Sequence, residues 1–519
     1  MPQSSHDTVE DLSSQLQALI QQGWEQAVIA QLPADYEQQA RVLGAFVRAR
    51  GLRCVADLLR GLLAYVLCAP SLRQLGAWAV LSGLANISHV AWHKQLRKAR
   101  SFLLWLLIQC LALPSRPVTL PVQRIVLIDA TRLKVPGGTG DDWRVHLGYE
   151  LLTGRVLDVK VSDRHTAEGF TLFVVQAGDL VVADRGYCRR KQLAYVLQAG
   201  AQVLVRLAVH QVPLLDEHGT PFDVLAWLKA QGSGQQSCPV AFEHEGRRFA
   251  GRLIACSLPE EAAERARSKE RKKAAKQQRQ LQAETLYLCG WLVLFSTLAP
   301  EQWSDEQVLA LYRARWQIEL VIKRMKQHLQ LAQLRGQSAL TNEATILTVL
   351  LAWALLQADV QAVRADLTQA TEQWLGSLDA PAPVQLPAPQ EPADIAAAAA
   401  VPSLPTVSSW SVTAVCAQTL RLLVQGYWTF AHLHRCLPLL RRFLCSRRRH
   451  RDQQESTIRR RLLAQCGRLA ADSSLFFCSS AYVNAYGGTP CGCPGNGGCP
   501  GNGGCHGRSL SWKNPYNLG

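Results

Sequence analysis

Two spacings of apolar residues divide this chain. From residue 124, short apolar and β-branched runs predict buried strands at 124–130, 143–151, 155–161, 180–184 and 202–207. Thr153-Gly154 predicts a hairpin between the second and third. Three- and four-residue steps predict helices at 167–176 and 190–198, giving the order β-β-β-α-β-α-β. Residues 1–114 carry helical spacing almost throughout. Ser71 and Ser88 stand at N-cap positions, with Gly83 and Asn86 breaking the chain between them. The runs 102–113 and 346–356 are too short to span a bilayer and predict buried helices.

The segment 311–326 predicts one helix with two adjoining stripes. Leu311, Ile318, Ile322, Met325 and Leu329 form an apolar stripe that must face a core. Tyr312, Arg315, Glu319 and Lys326 form a second stripe at its rim. In the plain reading these polar residues are a solvated face with an i,i+4 pair between Arg315 and Glu319.

Two of the predicted strands end in aspartate, Asp129 and Asp184. Ligands collect at the carboxyl ends of parallel strands, and paired carboxylates there suit divalent metal ions and phosphoryl chemistry. Gly186 is expected to supply the freedom for a tight turn after Asp184. Tyr149-Glu150 and Asp158 are further acids, expected to lie away from that edge.

The chain of 519 residues carries a formal charge of +16, which points to an anionic partner. Residues 435–468 hold 11 Arg against Asp452 and Glu455 and so contribute a net +9, a phosphate-binding arm. Sixteen cysteines stand mostly singly in apolar patterns, as at Cys54, Cys68, Cys110 and Cys289, and read as reduced thiols in an intracellular compartment. The first residues lack the pattern of a signal peptide.

The spacing Tyr312-x2-Arg315-x3-Glu319-x6-Lys326 resembles the signature of bacterial insertion-sequence transposases of the DDE class, in the group known for its Tyr-Arg-Glu-Lys motif (insertion-sequence family four). Asp129-Ala-Thr131 and Asp184-Arg-Gly-Tyr187 resemble that group's first and second acidic motifs. The resemblance covers roughly residues 45–356. It implies a ribonuclease-H-like catalytic core with its first and fourth strands side by side, so that Asp129 and Asp184 are neighbours. It also implies Mg²⁺, with Mn²⁺ as the alternative, held by Asp129, Asp184 and Glu319 as catalytic residues. Tyr312, Arg315 and Lys326 would position phosphates. The expected partners are double-stranded DNA, both terminal inverted repeats and target, and a second copy of the chain in the DNA complex; no membrane is expected. A cytoplasmic, nucleoid-associated enzyme follows. Two alternatives stay open: a nuclease on the same fold without strand transfer, and a DNA-binding remnant without catalysis.

The expected organisation is a helical DNA-binding domain at 1–114 and an α/β core at 122–207 and 298–356. A β-rich insertion occupies 208–297, with strands at 239–256 and 285–297 and a charged helix or extended hairpin at 259–282. A linker at 379–405, a helical basic region at 406–478 and a Cys/Gly-rich tail at 479–519 follow. Lys94, Arg97, Lys98 and Arg100 lie on a helix expected to face DNA, and Trp291 is either a base-stacking or a core tryptophan. Cys491, Cys493, Cys499, Cys505 and His506 number enough ligands for zinc, but the perfect Gly-rich repeat reads as a disordered extension.

Overall fold

The computed structural model describes residues 22–425, apart from 69–70, 113–121, 139, 141, 233, 377–405 and 408, and also 445–446. The arm at 435–468, the linker at 379–405 and the Cys/Gly tail therefore fall almost wholly outside the described residues.

The sequence order is helical, then mixed, then helical. Helices α1 (Tyr36–Val42), α2 (Val55–Leu67), α3 (Leu72–Leu81), α4 (His89–Lys98) and α5 (Arg100–Leu111) come first. Ser71 caps α3 through a full capping box with Gln74, and Ser88 caps α4 by accepting the Ala91 N–H. Strands β1 (Arg124–Leu133), β2 (Trp143–Glu150), β3 (Arg155–Asp163), β4 (Asp179–Ala183), helix α6 (Arg190–Gln198) and β5 (Gln202–Arg206) follow. The β2–β3 hairpin turns on Gly154 at φ +72°, and the Glu150 carboxylate accepts the N–H groups of Leu152 and Thr153 there.

One predicted helix fails. Residues 167–176 contain only a 3-10 turn, Phe170–Leu172. Gly169 in an extended conformation and the β-branched pair Val174-Val175 disfavour a helix. The Asp179 carboxylate accepts the Gln176 N–H and so holds the chain in a turn.

The next stretch holds β6 (Leu214–Leu215), β7 (Pro221–Phe222), α7 (Val224–Gln231), β8 (Gln235–His244), β9 (Arg247–Ser257), α8 (Glu260–Lys276), α9 (Ala283–Leu288) and β10 (Trp291–Ser296). The strand expected over 285–297 thus begins as a helix. These strands extend the central sheet, whose order is β3-β2-β1-β4-β5-β10-β9-β8-β6-β7. β1, β4 and β5 pair in parallel, and β2 runs antiparallel between β1 and β3, a mixed α/β arrangement that fits a ribonuclease-H-like core.

Helices α10 (Asp305–Ala314), α11 (Trp316–His328), α12 (Ala339–Gly376) and α13 (Ser409–Gln425) complete the described chain. The single helix expected at 311–326 is therefore two, meeting at Arg315. The apolar run read as 346–356 is the middle of α12, 38 residues long. By length and composition α12 could cross a membrane, yet 78% of that window is buried within the protein.

Side chains alternate cleanly across the sheet. Ile125, Leu127, Leu180, Val182 and Leu204 enter one core; Val126, Ile128, Val181, Ala183, Val203 and Val205 enter the other. The first core also takes in the N-terminal helices, α10, α11, α12 and α13, including Leu311, Ile318 and Met325. The helical region and the sheet therefore share one apolar interior. Arg100 pairs with Glu343 at 2.7 Å, His93 meets Thr341 at 3.0 Å, and Arg60 donates to the Val424 carbonyl at 2.8 Å, all tying the early helices to α12 and α13.

Candidate active site

The parallel registers bring the two aspartates together. Ile128 pairs with Ala183 across β1 and β4, so the next residues, Asp129 and Asp184, stand side by side at the carboxyl edge. By alternation both follow the face of Ile125, Leu127, Leu180 and Val182, the face on which α10 and α11 pack. Ala183 pairs with Val205 on β5, which adds Arg206 to the same edge. Gly186 needs no left-handed backbone, contrary to expectation: it lies in the 3-10 turn Arg185–Tyr187 and is absent from the positive-φ glycines among the described residues. A side chain there would instead crowd Glu168, whose Oε2 lies 3.0 Å from a Cβ built at 186.

The break at Arg315 sets the third carboxylate. Tyr312, 8% exposed in the last turn of α10, donates its hydroxyl to Asp184 Oδ1 at 3.2 Å. Glu319 lies in the first turn of α11, where the helix dipole favours a carboxylate. It accepts from Arg315 at 2.7 Å, the Arg315 side chain being 14% exposed and the Glu319 side chain 26%. Lys326 lies two turns further along α11, with Nζ 3.4 Å from the Arg132 carbonyl on β1. Among the described residues, no three His, Cys, Asp or Glu side chains converge as a ready metal cage.

The electrostatics of the two aspartates diverge. Burial, with lesser contributions from Glu319 and Asp184, pushes Asp129 up to about 6 against the pull of the Ala130 N–H and Arg315. Burial also acts upward on Asp184, but Arg315, the Arg185 N–H, Arg206 and Tyr312 together hold it below the usual carboxylate range. Burial opposes the charge of Arg315, yet Tyr312, Asp184 and Glu319 outweigh it and raise its pKa.

Asp129 and Asp184 line a cavity of about 700 Å³ whose wall also includes Glu168, Arg189, Arg206, Lys273 and Arg279. Lys273 belongs to α8, the charged helix predicted from composition, and Arg279 follows it and pairs with Glu270. Trp291 lines the cavity too, but at 6% exposure it sits in the core as the first residue of β10. Lys94, Arg97 and Lys98 are all exposed on α4, away from this cavity, whereas Arg100 is committed to Glu343. Sequence reasoning did not single out Glu168, Tyr187 or Arg206 as site residues. Tyr187 and Arg206 could have been found from their positions just beyond β4 and at the end of β5. Glu168 had no such signal.

Three hard carboxylate donors match the oxygen preference of Mg²⁺ or Mn²⁺, and the upward shift of Asp129 is one that a bound cation reverses.

The model of the transposase DDE domain family matches residues 120–355, the span from β1 to the middle of α12. The putative transposase InsL for insertion sequence element IS186A of Escherichia coli strain K12 is 34% identical over 345 residues, covering 64% of this chain and 93% of that protein. The transposase for insertion sequence element IS421 of Escherichia coli is 34% identical over 349 residues, with the same shares covered. DDE transposases act on DNA and use divalent metal ions. By this likeness, and by the acidic edge it spans, the chain belongs to the DDE transposases of insertion sequences.

Proposed function

We propose that Asp129, Asp184 and Glu319 are the catalytic metal ligands with which this transposase cuts DNA at the terminal inverted repeats of its element and joins the 3′ ends to target DNA. The observation that carries the reading is the register that sets Asp129 beside Asp184, with Glu319 reaching the same face from α11. Mg²⁺, or Mn²⁺ in its place, bound there would polarise the scissile phosphate and activate the attacking oxygen.

The protein's own groups do the rest. Arg315, now paired with Glu319, offers a guanidinium fork to a phosphate once Glu319 has another partner. The Tyr312 hydroxyl keeps Asp184 oriented, and Lys326 supplies a point charge further along the backbone. Arg189, Arg206 and Lys273 give the cavity a basic wall suited to a duplex. Lys94, Arg97 and Lys98 on α4 contact the repeat. Trp291 stays in its wall position until a displaced base enters the cavity to stack on it. The spacing from Tyr312 to Lys326 assigns the chain to the Tyr-Arg-Glu-Lys group. Two copies act together in the DNA complex, within the bacterial cytoplasm and on the nucleoid.

The test is purified protein with a labelled repeat-end duplex and Mg²⁺ or Mn²⁺. Cleaved ends joined to a second duplex support the reading. Cleavage without joining makes the protein a nuclease, and neither product makes it a binding remnant.

A further inference from the structure

Asp184 has the Tyr312 hydroxyl and Glu319 has Arg315, but among the described residues Asp129 is held only by the N–H of Ala130, 2.8 Å from its Oδ1. A buried hydroxyl nearby has the opposite problem. Tyr187 closes the 3-10 turn after Asp184 and forms part of the cavity wall. Its side chain is 1% exposed, and its ring stacks on Phe170 with centroids 5.2 Å apart. Its hydroxyl has no hydrogen-bond partner among the described residues. A buried hydroxyl left unpaired is destabilising, and phenylalanine would fill the same space without that penalty. Burial, then the charges of Asp129 and Glu168, push the phenol pKa up, so it remains a protonated donor. Of the two carboxylates, Asp129 acts on it more strongly.

We propose that Tyr187 is a positioning residue for Asp129, its hydroxyl donating to that carboxylate when Asp129 takes up a divalent cation. The proposal rests on the reading of Asp129 as a metal ligand. A ligating carboxylate binds well only when its orientation is fixed, and hydrogen-bond partners of this kind are commonly worth 10–100-fold in metal affinity. Tyr312 serves Asp184 in the corresponding way from the α10 side. Tyr187 serves Asp129 from the opposite core, to which its ring belongs.

The experiment is a Mn²⁺ titration of the full-length protein, without DNA, followed by calorimetry and by the electron spin resonance of free Mn²⁺. It compares the parent with Tyr187→Phe, Glu168→Gln and Asp129→Asn, and records the melting temperature of each without metal. Tyr187→Phe is expected to bind Mn²⁺ about tenfold more weakly while melting at the same or a higher temperature. Glu168→Gln is expected to weaken binding less than Tyr187→Phe does, and Asp129→Asn to lose the tight site. Parent-like binding by Tyr187→Phe, with the site lost in Asp129→Asn, overturns the role of Tyr187 alone. An equal loss in Glu168→Gln places the hydroxyl on Glu168 and also overturns it. Weaker binding accompanied by a lower melting temperature makes Tyr187 merely structural. Equal binding by the parent and Asp129→Asn removes the metal site itself, and the Tyr187 proposal with it.

Discussion

Asp129 and Asp184 occupy matching places, each just after an apolar run on neighbouring parallel strands and each on the same face of the sheet. Their environments nevertheless drive them apart. Asp184 is served by Tyr312, Arg315, Arg206 and the Arg185 N–H and stays ionised well into acid. Asp129 sits deeper, with fewer cationic neighbours, and burial pushes it up to about 6. Matching positions in register, Asp129 within β1 and Asp184 just past β4, thus become one strained carboxylate and one settled carboxylate. The difference comes from depth of burial, from the Arg185 N–H, and from what the helix pair α10–α11 and the end of β5 place beside each. A divalent cation relieves the strained group most, so the pair is poised to gain from metal binding.

The harshest test of this comparison is activity. Asp129→Asn, Asp184→Asn and Glu319→Gln should each lower strand cleavage by at least about a thousandfold, since each would remove a ligand of the cation that stabilises charge at phosphorus. Binding to the repeat ends, measured by gel shift without metal, should be nearly unchanged. An Asp184→Asn protein that still cuts would show that the settled carboxylate is not a ligand at all.

Neutralising Lys94, Arg97 and Lys98 together is the control far from both strand ends. It should flatten the salt dependence of end binding by two to three units of slope, roughly 0.9 per phosphate contact. Because none of the three lines the cavity, Mn²⁺ affinity should not move. A steep slope in the triple variant returns α4 to an ordinary solvated helix.

Stability separates the two aspartates by sign. Asp129 has its folded pKa above the unfolded value, so its contribution is full below about 3.8 and lost as pH rises through about 6. At pH 7.5 without metal, Asp129→Asn should therefore melt a few degrees higher than the parent. Asp184 is shifted downward, so its contribution is present above the unfolded value and lost as pH falls through the folded one. Asp184→Asn should melt lower at pH 7.5, and its deficit should vanish in acid. Calorimetry at pH 7.5 and at successively lower pH reads both effects, and shifts of the same sign at pH 7.5 would dissolve the comparison.

Arg315→Gln sharpens it with the smallest expected effect. The arginine lowers both pKa values, and among the influences on Asp184 it stands second only to burial. Removing it should move both titrations upward, Asp184 the more, so Mn²⁺ affinity should fall off at higher pH than in the parent. An unchanged pH profile of Mn²⁺ binding would mean that Arg315 answers to Glu319 alone.

The strands were legible because period-2 alternation and short apolar runs dominate them, and the register that pairs Asp129 with Asp184 follows from their parallel order. Asp129 and Asp184 were legible as the acids that follow those runs, and the rim position of Arg315 and Glu319 was legible from helical spacing. The break at Arg315 was not: its φ and ψ remain helical, so no proline or glycine marks it. The length of α12 was also hidden, since its flanks carry polar residues that only packing against α2, α5 and α13 explains. The lost helix at 167–176 had helical spacing, but Gly169 and the Asp179 carboxylate outcompeted it. Tyr187 stayed hidden because an orphaned hydroxyl is a property of three-dimensional surroundings alone.

The shared interior beneath α12 makes the molecule a ruler. Its 38 residues span roughly 57 Å at 1.5 Å per residue, with α4 joined to one stretch of it and the sheet packed along the same core. Under the proposed function, a duplex held by α4 reaches the acidic edge at one helical phase, because α4 and the sheet pack on the same core. Shifting the repeat by half a duplex turn, about 5 base pairs, would present the wrong backbone to Asp129 and Asp184, while a full turn of 10 to 10.5 would restore the face at the cost of distance. Where the element is cut is then a length written into protein packing, and a repeat can drift in sequence more readily than in spacing.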